Sequence, residues 1–132
     1  PPLMLNEKGY TVLVPAVDID GNDIAGIRAP MVAAPLATYT GWNLRVRFFG
    51  EGAMHEFSGS TIDFPETNEI AEATGDPRKS VLDRYGDELG YLKAIESAAK
   101  KLVKEKWILE EDLSRAIQLA KRWCFERHDI RL

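Results

Sequence analysis

A single cysteine, Cys124, and two histidines, His55 and His128, are all that the 132 residues offer to thiol or soft-metal chemistry. An intrachain disulfide is therefore excluded, and neither a Cys/His zinc pattern nor a CxxC redox pair can be drawn. No uninterrupted apolar run approaches the ~18 residues of a membrane-spanning helix or forms the core of a signal peptide. Positive charge is not in excess either: 17 Lys and Arg against 21 Asp and Glu leave a net −4, with the two signs interspersed. That pattern gives no footprint for a nucleic acid or an anionic membrane. The chain also lacks the G-x-S-x-G elbow that places a nucleophilic serine on a strained turn between strand and helix.

What is present is enough for a modest core, since 45% of the residues are apolar and the length is that of one ordinary domain. The composition shifts near Pro65, from a turn-rich half (1–65) to a helical half (66–132). The first half has too little apolar surface to stand alone, so the whole is expected to form one α+β unit. A complete doubly wound fold does not fit, because each βαβ unit takes about 30 residues or more. The chain opens on Pro1-Pro2 without an initiator methionine, an expectation of cleavage or of a larger parent protein.

Taken in order, Tyr10–Val14 is aromatic and β-branched and ends at Pro15, which predicts a strand. Val17 to Ile27 flanks Gly21-Asn22, a pair suited to a tight hairpin turn. Asp18, Asp20, Asn22 and Asp23 invite a calcium reading, but an EF-hand loop begun at Asp18 would have Asp23 where glycine and Ala29 where glutamate are needed. Turn formation explains these side chains without a metal, and Arg28 is positioned to pair with one of the carboxylates. Ala29 to Ala37, with Pro30 and Pro35, predicts an extended path. Trp42 to Phe49 predicts a strand with one wet face, Gly50 to Gly52 a turn, and Met54 to Phe57 a returning strand. Ser58 and Ser60 then read as loop residues. With His55 and Asp63 they suggest a triad by composition only, and three common residue types nearby do not make its geometry.

In the second half, Thr67 to Ala73 predicts a short helix stopped by Gly75, with Asp76-Pro77 as a cap and Ser80 to Asp83 as a weak capping box. Arg78, Arg84, Asp76 and Asp83 are expected to form a structural ion-pair cluster, since no glycine-rich phosphate cradle lies beside them. Two helices follow. Leu89, Leu92, Ile95, Ala99, Leu102 and Val103 should line the first, and Leu113, Ala116, Ile117, Ala120 and Cys124 the second. Glu110, Glu111 and Asp112 at the start of the second and Lys121, Arg122 and Arg127 near its end complement the macrodipole. His128 beyond them reads as a solvent-facing residue. The short connection predicts an antiparallel hairpin with Trp107 and Trp123 as packing groups and Cys124 as an inert buried thiol.

The run from Pro35 to Arg45 concentrates large hydrogen-bonding side chains between a proline and a glycine-containing turn. Its aromatic residues are either core anchors or the wall of a pocket. If any residues here contact substrate, Thr38, Tyr39, Trp42 and Asn43 are the candidates, because they pair aromatic area with orienting hydrogen bonds. No catalytic, metal or cofactor-binding residue is assigned.

Val17 to Arg28, the Pro35 to Arg45 run, Gly75 to Ser80 and Arg84-Tyr85 together resemble the C-terminal part of a bacterial family of α/β-hydrolase-domain proteins. Several blocks agree in order and approximate spacing over most of the chain, which is more specific than any one short motif. The resemblance implies a serine hydrolase parent acting on carboxylic esters or similar acyl compounds, with the nucleophile and catalytic histidine upstream of this region. This chain would then be an accessory or cap segment, inactive alone, whose partners are the upstream hydrolase core and a small ester. A free-standing noncatalytic binding or assembly domain, with its helical hairpin facing another subunit of a homo-oligomer or partner, is the alternative. A small enzyme working through its own carboxylates has no feature to single it out.

Overall fold

The computed structural model describes residues 15–55 and 57–127, and for 123–127 the backbone alone. The expected strand Tyr10–Val14, His128 and the side chains of Trp123, Cys124 and Arg127 lie outside the described residues. What is described is α+β. Residues 16–28 form a turn-rich segment held by an isolated antiparallel bridge between Val17 and Asp23. A one-turn helix, α1 (Pro30–Ala33), follows where an extended path was expected. Proline is tolerated at a first helical position because its missing N–H would have no helical partner there, so Pro30 starts the turn instead of preventing it.

The next four strands are two pairs of one long antiparallel ribbon. β1 (Ala37–Thr40) pairs with β4 (Ser60–Asp63), Ala37 opposite Asp63 and Thr40 opposite Ser60. Further out, β2 (Asn43–Leu44) pairs with β3 (Met54–His55). Two expectations are corrected here. Ser60 belongs to a strand and not to a loop, because its amide and hydroxyl meet the Thr40 hydroxyl across the ribbon. The strand expected over Trp42 to Phe49 ends at Leu44, since Phe48 adopts a left-handed φ of 71° and Phe49 donates its N–H back to the Val46 carbonyl. Phe48 is consequently 88% exposed. At the crossing between the two pairs, a Cβ on Gly59 would stand 2.2 Å from the Thr40 carbonyl oxygen, so only glycine fits.

Two short helices and a final pair carry the second half. In α2 (Asn68–Thr74) the Thr67 side chain accepts from the Ile70 amide, and Gly75 closes the helix at a φ of 68°. α3 (Val81–Tyr85) begins at Ser80, whose hydroxyl accepts from the Asp83 N–H as the capping pattern predicts. The expected cap at Asp76-Pro77 is not one, because the Asp76 carboxylate is drawn to Arg78 instead. α4 (Glu88–Lys104) is capped by Asp87 and ends in a Schellman arrangement. There Lys106 takes the left-handed position, donating to Val103, and Trp107 donates to Leu102. The acidic run Glu110–Asp112 forms a 3-10 turn leading into α5 (Leu113–Arg127). Glu88 at the start of α4 lies 3.8 Å from Lys121 in the second half of α5, so the two helices run antiparallel.

The core sits where α4 meets α3, α5 and the root of the ribbon. Leu36, Phe64, Val81, Tyr91, Ile95 and Ala120 are buried together there. Tyr91, absent from the expected stripe, replaces Leu89, which is 64% exposed. Six residues at about 100° each place Leu89 roughly 120° away from Ile95, off the buried face. Tyr85 meets Tyr91 edge-on at 5.3 Å and donates its hydroxyl to the Pro35 carbonyl. Trp107 is a further correction: the Schellman turn directs it outward, and it is 58% exposed. Among the described residues, no helix is long and apolar enough to cross a membrane.

Ion pairs lock the ribbon root to α3. The Arg78 guanidinium lies 5.0 Å and that of Arg84 4.4 Å from the Phe64 ring centroid. Arg78 binds the Asp76 carboxylate, the carbonyls of Ile62 and Asp63 and the Thr38 hydroxyl. Arg84 reaches across the fold to both carboxylate oxygens of Asp20. The expected cluster is thus regrouped, for Asp83 pairs with Lys79 on the surface while Asp20, remote in sequence, takes Arg84.

Two outcomes follow from this packing. In an open helix Gly→Ala stabilises by about 1 kcal/mol. A Cβ on Gly90, however, would lie 1.8 Å from the Tyr85 carbonyl oxygen, so Gly90→Ala should lose about 1–3 kcal/mol in urea unfolding. A gain in stability would refute this close approach of α3 to α4. The hydrogen bond from Arg78 holds the Asp76 carboxyl below its ordinary pKa of 3.8, outweighing the burial that would raise it. A carboxyl so depressed contributes stability that is complete above the unfolded-state value and lost as pH falls through the folded one. Asp76→Asn should therefore be less stable than the parent by about 1–3 kcal/mol at pH 7, with the gap closing below about pH 3.8. A gap that does not change between pH 7 and pH 2.5 would contradict it.

Candidate functional site

The loop before β1 builds one wall of a cavity by satisfying its own polar groups first. The Asp18 carboxylate accepts the Asp20 and Asn22 amides at 3.0 Å each and the Arg28 guanidinium at 2.7 Å. Burial would raise the Asp18 pKa, but these bonds together outweigh it and hold the carboxyl below its ordinary value. Its oxygens are engaged by donors of the chain, as a turn-forming aspartate's are. Among the described residues, no group of three or more His, Cys, Asp or Glu side chains could hold a metal ion.

Asn22, at the turn, is fully buried. Its side-chain amide donates to the Ala37 carbonyl at 3.0 Å and its side-chain oxygen accepts from the Tyr39 amide at 2.8 Å. A carboxamide has one donor and one acceptor side, the same pair that a strand residue offers, so Asn22 covers the edge of β1 that β4 does not. Gly21 beside it has a φ of 81°, and a Cβ there would come within 2.9 Å of the Thr38 methyl. Turn and strand therefore touch directly. The Thr38 hydroxyl is used on both sides, donating to the Asp20 carbonyl and accepting from Arg78.

In front of this wall lies a cavity of about 740 Å³. Thr38, Tyr39 and Trp42 all line it, joined by Val17, Leu44, Met54, Ile62 and Asp23. Asn43, the fourth candidate, lines a different and smaller recess of about 240 Å³ with Arg45, Phe49, His55 and Ser58. Its side-chain oxygen accepts from the Leu44 amide. Three candidates are thus brought together and the fourth is not. The hydroxyls of Thr38 and Thr40 hold the backbone of Asp20 and Trp42, so the cavity is lined mainly by apolar surface. Val17, Met54 and Ile62 escaped the sequence reading, since they come from three separate segments and only the ribbon's register brings them to one face.

Ser58 and His55 do meet, with Oγ 3.2 Å from Nδ1. The pair is exposed and the ring of His55 packs edge-on to Phe57 at 5.9 Å. Asp63, the acid that composition suggested, stands at the ribbon root opposite Ala37, beyond the Thr40–Ser60 pair. The three do not form a triad.

No curated protein and no solved structure matches this chain. A family model does, over residues 1–118, and its description is "Alpha/beta hydrolase domain". That span includes the whole cavity, both ribbon pairs and α1 through α4. With most of its length matched in this way, the chain belongs to the α/β hydrolase domain family.

Proposed function

We propose that this chain is a single accessory unit of an α/β hydrolase, the C-terminal segment that flanks the active-site cleft of a parent hydrolysing carboxylic esters. The parent's serine would attack the ester carbonyl and its backbone amides would stabilise the oxyanion, both from outside this sequence. The present residues would bind the substrate's apolar part, with Tyr39 and Trp42 as the broad contact surfaces and Thr38 holding the wall behind them. Asn43 would act at the rim only, given its place in the neighbouring recess. The antiparallel pair α4 and α5 would brace this wall through the core.

The observation that carries this reading is the apolar cavity of about 740 Å³ on a chain of this family, since concave apolar surface with a few fixed polar groups is what small-molecule sites share. The lack of a G-x-S-x-G pentapeptide agrees with a nucleophile located elsewhere. A second reading, a noncatalytic assembly domain within a homo-oligomer, draws on Ile19, Phe48, Phe49 and Phe57, apolar side chains left largely uncovered. The same residues suit contact with a hydrolase core. The two readings separate by activity: the intact protein should cleave short-chain p-nitrophenyl esters under the first and none under the second.

On the first reading, Trp42→Ala in the intact protein should raise KM for such esters about five- to twentyfold, as loss of a large aromatic contact does. Its unfolding midpoint should stay within a few degrees, because Trp42 is half exposed. Unchanged kinetics with unchanged stability would count against the site.

A further inference from the structure

The cavity's charge is as informative as its shape. Among the described residues that line it, Asp23 alone carries a charged side chain; the others are aliphatic, aromatic, glycine, proline or threonine. Asp23 is held there by its bridge to Val17, which places both residues on the cavity side of the turn. Among the described residues no ion pair takes its carboxylate, whereas Asp18 is taken by Arg28 and two amides, and Asp20 by Arg84. Arg78, behind the wall, reaches the back of Thr38 but is matched by Asp76. Among the described lining residues none carries a positive charge, and the donors that Tyr39 and Trp42 offer are neutral. A carboxylate entering this space would lose hydration against apolar walls and meet a like charge.

We infer that the cavity selects its ligand by charge, accepting an apolar body that is neutral or cationic and rejecting one that carries a carboxylate, with Asp23 as the specificity-determining residue. This rests on the reading of the cavity as the site for the ester's apolar part. It adds that the parent's substrates are uncharged or cationic in that limb, so half-esters of dicarboxylic acids would be poor substrates. Asp23 is exposed, so its influence is screened and should be moderate and salt-dependent.

The test uses three probes of equal length, hexanamide, hexylammonium and hexanoate, titrated into the intact protein by calorimetry. A parallel assay compares p-nitrophenyl hexanoate with the mono-p-nitrophenyl ester of adipic acid. Hexanoate should bind at least fivefold more weakly than hexanamide at low ionic strength, and the difference should shrink in 0.5 M salt. Asp23→Asn should strengthen hexanoate binding about three- to tenfold and weaken hexylammonium binding, leaving hexanamide within twofold. Equal affinities for the three probes, or a ratio that Asp23→Asn leaves unchanged, would overturn the inference. Cleavage of both esters at equal efficiency would do the same while leaving the hydrolase reading intact. If neither ester is cleaved but the binding order holds, the hydrolase reading fails and charge selection stands.

Discussion

The backbone of Ala37 and Tyr39 must find partners on the side that β4 does not reach, and the carboxamide of Asn22 supplies both. Much of the described structure depends on this one side chain. It fixes the turn of residues 18–22 against β1, and that contact lets the Asp20 carbonyl accept the Thr38 hydroxyl. With the turn in place, Asp20 can present its carboxylate to Arg84 on α3, 64 residues further along the chain. Arg84 in turn shares the Phe64 ring with Arg78, whose guanidinium ties the end of β4 to Asp76. Burial of an unpaired backbone carbonyl and amide costs about 1–3 kcal/mol each, so the arrangement is held as a unit.

That constraint also explains the cavity. A short ribbon would ordinarily close over its own apolar face or aggregate through its edge. Here one edge of β1 is sealed by a side chain, the two strand pairs meet at Gly59, where only glycine fits, and Tyr39, Trp42, Val17 and Met54 line one space. The fold's own hydrogen bonds absorb the hydroxyls of Thr38 and Thr40, which leaves the cavity wall largely apolar, with Asp23 among its lining residues.

The helical part of the chain was the more legible in sequence. The Ser80 cap and the Gly75 stop are local effects that residue order exposes, whereas Thr67 and Asp87, which cap α2 and α4 in the same way, were not singled out. The pairing of β1 with β4 was not legible, because Ser60 looks like any loop serine until Thr40 is known to lie opposite. Tyr91 lies about 40° from Ile95 around the helix and Leu89 about 120°, so the periodicity held this distinction but residue type outweighed it. For the candidate site, composition singled out Thr38, Tyr39 and Trp42 by their bulk and polarity. Asn43 shares that bulk and polarity yet lies in the neighbouring recess, and Asp23 read as one more turn former.

The central claim is that this cavity lies beside the reacting centre of an α/β hydrolase and receives the substrate's apolar limb. The most direct measurement is the structure of the intact protein after reaction with an alkyl fluorophosphonate, which labels an activated serine covalently. The adduct is expected on a serine outside these 132 residues, with its alkyl chain between Tyr39 and Trp42. A chain lodged elsewhere, with the cavity facing away from the modified serine, would contradict it.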